Sequence, residues 1–361
     1  MIERPLVFIP GIYCSTLAIN YNTFWPPSEF SSSTVAEVLD KLSTNIRTAV
    51  GEDVPVVAKD VFPICDFNLM SSKWGYTLGS NFWTFPYDWR QSNEISGLML
   101  TDFIKEKIQG TNWDGVDVVC HSMGGFVVRA AIVNHRAPIK RTVYIASPHY
   151  GTPQAYFALN PEIHSAMATI AQGFLFYLTL DKDLKDLLDH DIVLENALKD
   201  LFSKWPSMYE LMPDSFYLDK EAMIFLNGIS PIKGVHKTYL SSELEFKLRE
   251  KRHVTSAMKF KKKLGIRLPG KEDDILVIFD EDLPTFDRVN YSTKTKNELV
   301  LASSLKTGDT LVVAKSGMCS MSGRPVYKNS KSISNCDHST LPNDPRTINE
   351  IMKYLNPTRV A

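Results

Sequence analysis

Val116-Asp117-Val118-Val119-Cys120-His121-Ser122-Met123-Gly124-Gly125 is an apolar run that ends in a serine among small residues and passes straight into a helical pattern. A strand followed at once by a helix leaves the serine exposed on a sharp turn, and the residues two before and two after it must be small because their backbones meet there. Gly124 satisfies that demand, while Cys120 stands where such a turn usually has its first glycine. Cysteine is small enough to serve. A serine that merely caps a helix is the plainer alternative, but it leaves the preceding apolar strand unexplained. Ser122 is thus the candidate nucleophile, with Met123 behind it as one backbone N–H donor for an oxyanion.

On either side of this stretch, short apolar runs alternate with helical patterns, which is the signature of βαβ units around a mainly parallel sheet. The candidate strands are Leu6 to Ile9, Val54 to Ala58, Phe82 to Tyr87, Val116 to Cys120 and Arg141 to Ala146; the intervening helices run from Ile95 to Ile108 and from Gly124 to Asn134. Between Asn160 and Gly234 amphipathic helical stretches replace the strands, as expected of an inserted helical cap. A sheet pattern returns at Ile275 to Phe279 and Thr310 to Val313, and Pro345 to Leu355 reads as a last helix preceded by Asp344. The expected fold is α/β, with helices on both faces of the sheet. The divisions are 1–159 for the first part of the core, 160–270 for the cap and 271–361 for the second part. The segment 12–55 after the first strand is far longer than the roughly 2 to 6 residues usual for such connections, and is a candidate lid.

The chain has 361 residues, with 40 basic against 41 acidic side chains and 44% hydrophobic residues. That balance gives no electrostatic reason for nucleic-acid binding and excludes a disordered chain. No apolar run reaches the roughly 20 residues needed to span a bilayer, and Pro5 to Gly11 reads as a buried strand and not as a signal peptide. The five cysteines are odd in number and form no C-x-x-C pair, so they read as reduced and the protein as cytoplasmic. No metal or other cofactor is expected.

A serine needs a base, and the base needs an orienting carboxylate, in the chain order Ser, Asp, His. His338, in the polar loop Asn335 to Leu341 before the last helix, is the candidate base. His149 follows a strand near the same sheet edge but comes too early, and reads with Tyr150 as pocket lining. Asp309, in Lys306 to Val312, is the chosen carboxylate, with Asp280 and Asp282 as rivals after the strand Ile275 to Phe279. The second oxyanion donor comes from the loop Pro10-Gly11-Ile12-Tyr13.

Four stretches carry a resemblance: Phe8-Ile9-Pro10-Gly11, Tyr87-Asp88-Trp89-Arg90, His121-Ser122-Met123-Gly124 and Trp205-Pro206-Ser207-Met208-Tyr209-Glu210-Leu211-Met212-Pro213. In order and along most of the chain, the sequence resembles the lecithin:cholesterol acyltransferase-like group of α/β-hydrolases, which includes lysosomal phospholipase A2 and phospholipid:diacylglycerol acyltransferases. The resemblance implies an α/β-hydrolase fold. It also implies a lipid acyl hydrolase or acyltransferase that forms an acyl-enzyme, with Ser122, Asp309 and His338 as its triad and Met123 and Tyr13 as oxyanion donors. The partner it implies is a phospholipid-like or other long-chain ester. The family's Asp-Gly-Asp-Gly-Thr-Val motif survives only in part, as Thr307-Gly308-Asp309-Thr310-Leu311-Val312. Animal members carry a lid disulfide; Cys14 and Cys65 are able to meet across the lid here, although the reduced reading is preferred.

Two further features each admit a lipid reading and a plainer one. Lys247 to Lys271 holds ten Lys or Arg and one acid, Glu250, and suits either an anionic membrane surface or plain solvation. Phe24-Trp25-Pro26-Pro27 reads either as an aromatic dipping into an interface or as packing over the active site, with Trp25 a candidate pocket residue beside Ile12.

Overall fold

The computed structural model describes residues 3–27, 32–47, 49, 51–61, 74–159, 200–226, 230–240, 250–291 and 299–356. Six strands form the central sheet, in the spatial order Asn329–Ser332, Ile275–Phe279, Ile139–Ile145, Val116–His121, Leu6–Ile9 and Phe82–Thr84. Every pairing within it is parallel. Parallel strands are buried on both faces, which is why they read as continuous apolar runs. Alternate side chains of the same strands enter separate cores: Val7, Ile9, Val118 and Cys120 pack with Leu100, Ile104, Phe126 and Val127 on one side. Leu6, Phe8, Val119, Val143 and Ile145 pack with Ile351, Met352 and Leu355 on the other. The helices Asn93–Ile108 and Gly124–Val133 therefore cover the first face and Pro345–Leu355 the second, the α/β-hydrolase arrangement. Asp344 caps the last helix by accepting from the Arg346 N–H at 2.8 Å.

The segment after the first strand is long and largely structured. Ser15–Ile19 pairs antiparallel with Asn22–Trp25 and with Val56–Val61, and the helix Ser32–Ser43 lies between. The strand expected at Val54 to Ala58 thus belongs to this small sheet and not to the central one. Later in the chain the structure adds the helices Pro206–Leu211, Ser215–Lys220 and Lys251–Leu264, together with a second sheet of Leu299–Gly308, Leu283–Tyr291, Ile224–Leu226 and Ser230–Ile232. Much of the helical pattern expected before residue 200 lies outside the described residues.

Two expectations are corrected. Thr310 to Val313 is a turn and not a strand. Thr310 takes φ 84° and Gly308 makes a single bridge to Val313 across it, and Val312 and Val313 are buried by packing outside any strand. The reading of all five cysteines as reduced fails at Cys14, which is disulfide-bonded, whereas Cys120, Cys319 and Cys336 are free. The fifth cysteine, Cys65, lies outside the described residues. An odd count excludes pairing of every thiol; it does not exclude one bridge beside three buried thiols.

Candidate active site

The strand Val116–His121 and the helix Gly124–Val133 meet at Ser122, which is held at φ 52° in the left-handed region. A non-glycine residue there costs energy that the surroundings must offset. Here the Ser122 N–H continues the sheet by donating to the Ile145 carbonyl at 2.9 Å, and the Gly125 N–H donates back to the Ser122 carbonyl at 3.0 Å. The small residues around it have a measurable reason. A Cβ on Gly124 would lie 2.7 Å from the carbonyl oxygens of both Ile9 and Pro10, and one on Gly11 would lie 2.9 Å from the Ser122 Cβ. The first-strand loop and the serine turn are thus pressed together. Cys120 fits in the glycine position because its buried thiol turns into the sheet, with Sγ 3.4 Å from the Val143 carbonyl.

The structure brings Ser122, His338 and Asp309 into one hydrogen-bonded chain. His338 Nε2 is 2.9 Å from Ser122 Oγ, and His338 Nδ1 is 2.9 Å from Asp309 Oδ2. All three are buried. Asp309 is oriented by its own turn, where Oδ1 accepts from the N–H groups of Leu311 at 3.1 Å and Val312 at 2.7 Å, leaving Oδ2 for the imidazole. The rival Asp280 is occupied elsewhere: its carboxylate accepts from the N–H groups of Asp282 at 2.6 Å and Cys336 at 2.5 Å, latching the loop that carries His338. Burial holds its carboxyl above the usual range.

Tyr13 follows Gly11 in the loop beside the serine, at φ 67°. That loop is held by the Tyr87-Asp88-Trp89-Arg90 stretch, whose role sequence reasoning left open. The Tyr87 hydroxyl donates to the Pro10 carbonyl at 3.0 Å, and Trp89 Nε1 donates to the Ser15 carbonyl at 3.1 Å. Arg90 forks onto Asp88 and donates to the carbonyls of Lys41 and Thr44, each at 3.0 Å, closing the end of the helix Ser32–Ser43. The family resemblance flagged this stretch; only the fold shows that it braces the loop.

The four residues expected to line a pocket divide. Ile12 is half-buried in the turn beside Tyr13. Trp25 is fully buried: it donates through Nε1 to the Tyr13 carbonyl at 3.0 Å and packs edge-on against Trp89, so the reading of an aromatic dipping into an interface is overturned. His149 lies edge-on to Tyr144, with ring centroids 5.1 Å apart, and its carbonyl accepts from Arg129 at 2.9 Å. The Tyr150 hydroxyl is bound to the Cys319 carbonyl at 2.9 Å. Neither His149 nor Tyr150 has a hydrogen bond to the triad among the described residues. The basic stretch divides too. Lys251, Arg252, Lys259, Lys262, Lys263, Arg267 and Lys271 are exposed, but Lys261 is buried and donates to the Met212 carbonyl, and burial pushes its ammonium down to about 8.

Residues 67–169 match the family model of lecithin:cholesterol acyltransferase. The fold is similar to that in the crystal structure of the Tle4–Tli4 complex, with a TM-score of 0.63 at 12% identity over 98% of each chain. Lower similarity is found to the mature Bacillus licheniformis lipase BlEst2, with a TM-score of 0.38 at 13% identity over 98% of this chain and 92% of that one. It is also found to lipase 1 from Pelosinus fermentans, with a TM-score of 0.40 at 11% identity over 99% and 98%. No curated protein matches the sequence significantly.

Proposed function

We propose that the chain is an LCAT-like serine hydrolase, and that it transfers acyl groups from long-chain, phospholipid-like esters through an acyl-Ser122 intermediate. The observation that carries this reading is the pair of 2.9 Å contacts linking Ser122 Oγ to His338 and His338 to Asp309. In the proposed reaction His338 Nε2 takes the Ser122 proton as Oγ attacks the ester carbonyl. The N–H groups of Met123 and Tyr13 stabilise the oxyanion. His338 then gives the proton to the departing alcohol. Water or a second alcohol, deprotonated by the same imidazole, attacks the acyl-serine and releases the acyl group. Asp309 keeps the proton on Nδ1 and supports the charge that develops on the ring.

The exposed basic side chains from Lys251 to Lys271 support peripheral contact with anionic lipid. Among the described residues no helix is long and apolar enough to cross a membrane. A second reading, a carboxylesterase for small soluble esters, is favoured by the cap itself: Met208, Leu211 and Met212 are buried in the main core. The apolar cap run from Phe174 to Leu178 lies outside the described residues.

A fluorophosphonate probe tests the chemistry: wild type is labelled quickly and Ser122→Ala is not, and equal labelling of both would place the nucleophile elsewhere. The substrate class is tested with p-nitrophenyl esters of two to sixteen carbons, with and without vesicles. Rising kcat/KM with chain length and stimulation by vesicles are expected. A steady fall beyond four carbons with indifference to vesicles would leave the small-ester reading.

A further inference from the structure

His121 closes the serine strand and takes no part in the proton transfers above, yet it touches the residue that does. Its Nε2 lies 3.0 Å from the His338 carbonyl oxygen, and the two imidazole rings stand 4.9 Å apart at 42°. A carbonyl only accepts, so this contact fixes the tautomer: Nε2 carries the hydrogen and Nδ1 is a bare lone pair. Nδ1 has no partner among the described residues and faces Gly11, where an added Cβ would lie 3.3 Å from it. Burial first, and the neighbouring His338 second, hold the ring well below the usual imidazole range. It therefore stays neutral in the tautomer that donates to His338.

The backbone of His338 is thereby held on both sides. Its N–H donates to the Asp309 carbonyl at 2.8 Å, and its carbonyl accepts from His121. Asp309 also grips the ring through Nδ1. A loop residue with only one backbone tie can swing, and the reach from Nε2 to Ser122 Oγ leaves little room for that.

We propose that His121 is a positioning residue, whose Nε2–H locks the His338 backbone so that the imidazole stays on Ser122. This rests on the triad reading above. The same loop is also held two residues earlier, where Asp280 accepts from the Cys336 N–H.

The test compares His121→Gln with His121→Asn. A glutamine amide nitrogen reaches the place of the imidazole Nε2, whereas an asparagine amide reaches only the place of Nδ1. His121→Gln is expected to retain most of the wild-type kcat. His121→Asn is expected to lower kcat by about 10²-fold, the scale of a small misplacement of a reacting group, with KM unchanged and fluorophosphonate labelling slowed in proportion. Should the asparagine variant fail to fold, His121→Leu removes the same donor and gives the same readout. Wild-type kcat in the asparagine or leucine variant, or equal losses in the glutamine and asparagine variants, would overturn the proposal. Absence of labelling in the wild-type protein would instead refute the triad itself, so the two failures are distinguishable.

Discussion

Asp309 and His338 are joined twice: the Asp309 carboxylate meets the imidazole at 2.9 Å, and its backbone carbonyl accepts the His338 N–H at 2.8 Å. The second tie survives any change of the Asp309 side chain, so the loop carrying His338 stays docked when the carboxylate is altered. Asp309→Asn should therefore fold normally and lose about 10⁴-fold in kcat, because an amide cannot hold the imidazole in its working tautomer. Asp280→Asn should do the reverse. It gives up one of two backbone acceptor contacts, costing about 1 kcal/mol of stability, while kcat stays near wild type. Steady-state kinetics and melting curves on the two variants check this, and a larger kcat loss at Asp280 would reverse the assignment.

Gly124→Ala should be damaging out of proportion to one methyl group. Its Cβ would press to 2.7 Å on two backbone carbonyls, Ile9 and Pro10, neither of which yields as a side-chain tip would. Overpacking of this kind typically costs about 1 to 3 kcal/mol. Relief requires the first-strand loop to move away, taking Tyr13 from the serine. A lowered melting temperature together with a lowered kcat is expected, and unchanged values for both would show that the contact is softer than it looks.

Reduction should destabilise the protein through Cys14, since native disulfides typically contribute about 2 to 4 kcal/mol. The measurement is a thermal melt with and without reductant. Wild type should lose several degrees, and Cys14→Ser should be insensitive. A reductant-insensitive wild type would remove the bridge from any account of stability.

Glu210 places its carboxylate at the start of the helix Asn93–Ile108, accepting from the Ser92 hydroxyl at 2.5 Å, the Asn93 N–H at 2.7 Å and the Asn93 amide at 2.8 Å. Burial nonetheless pushes its pKa from 4.5 up to about 7, opposed by those bonds and by Lys261. An acid with a raised folded pKa keeps its proton better when folded, so its contribution is present in acid and lost as pH rises from about 4.5 to about 7. Stability should fall over that window by on the order of 1 to 3 kcal/mol from this group. Glu210→Gln should flatten the fall, and parallel melting-temperature profiles for the two proteins would refute the linkage.

What the sequence revealed follows the range of the forces involved. The strand, turn and helix around Ser122 were readable because they follow one another locally, and the loop that carries His338 was readable from its place before a capped helix. Thr310 to Val313 misled because Leu311, Val312 and Val313 look like a strand, whereas Val312 and Val313 are buried from a turn. The hairpin after Ile19 was missed although Asn20 and Tyr21, at φ 49° and 69°, form the kind of two-residue turn that asparagine favours. Arg90 on the end of the helix Ser32–Ser43, Glu210 on Ser92 and Asn93, and Trp25 under Tyr13 were beyond local reading. Each joins segments that no short-range pattern connects.

Ser122 waits a long time for its base. The ribosome makes the strand and helix around it early, but the histidine proposed to activate it comes 216 residues later and the carboxylate not much sooner. On that reading no complete triad exists until synthesis is nearly finished and the C-terminal segment has docked beside the sheet.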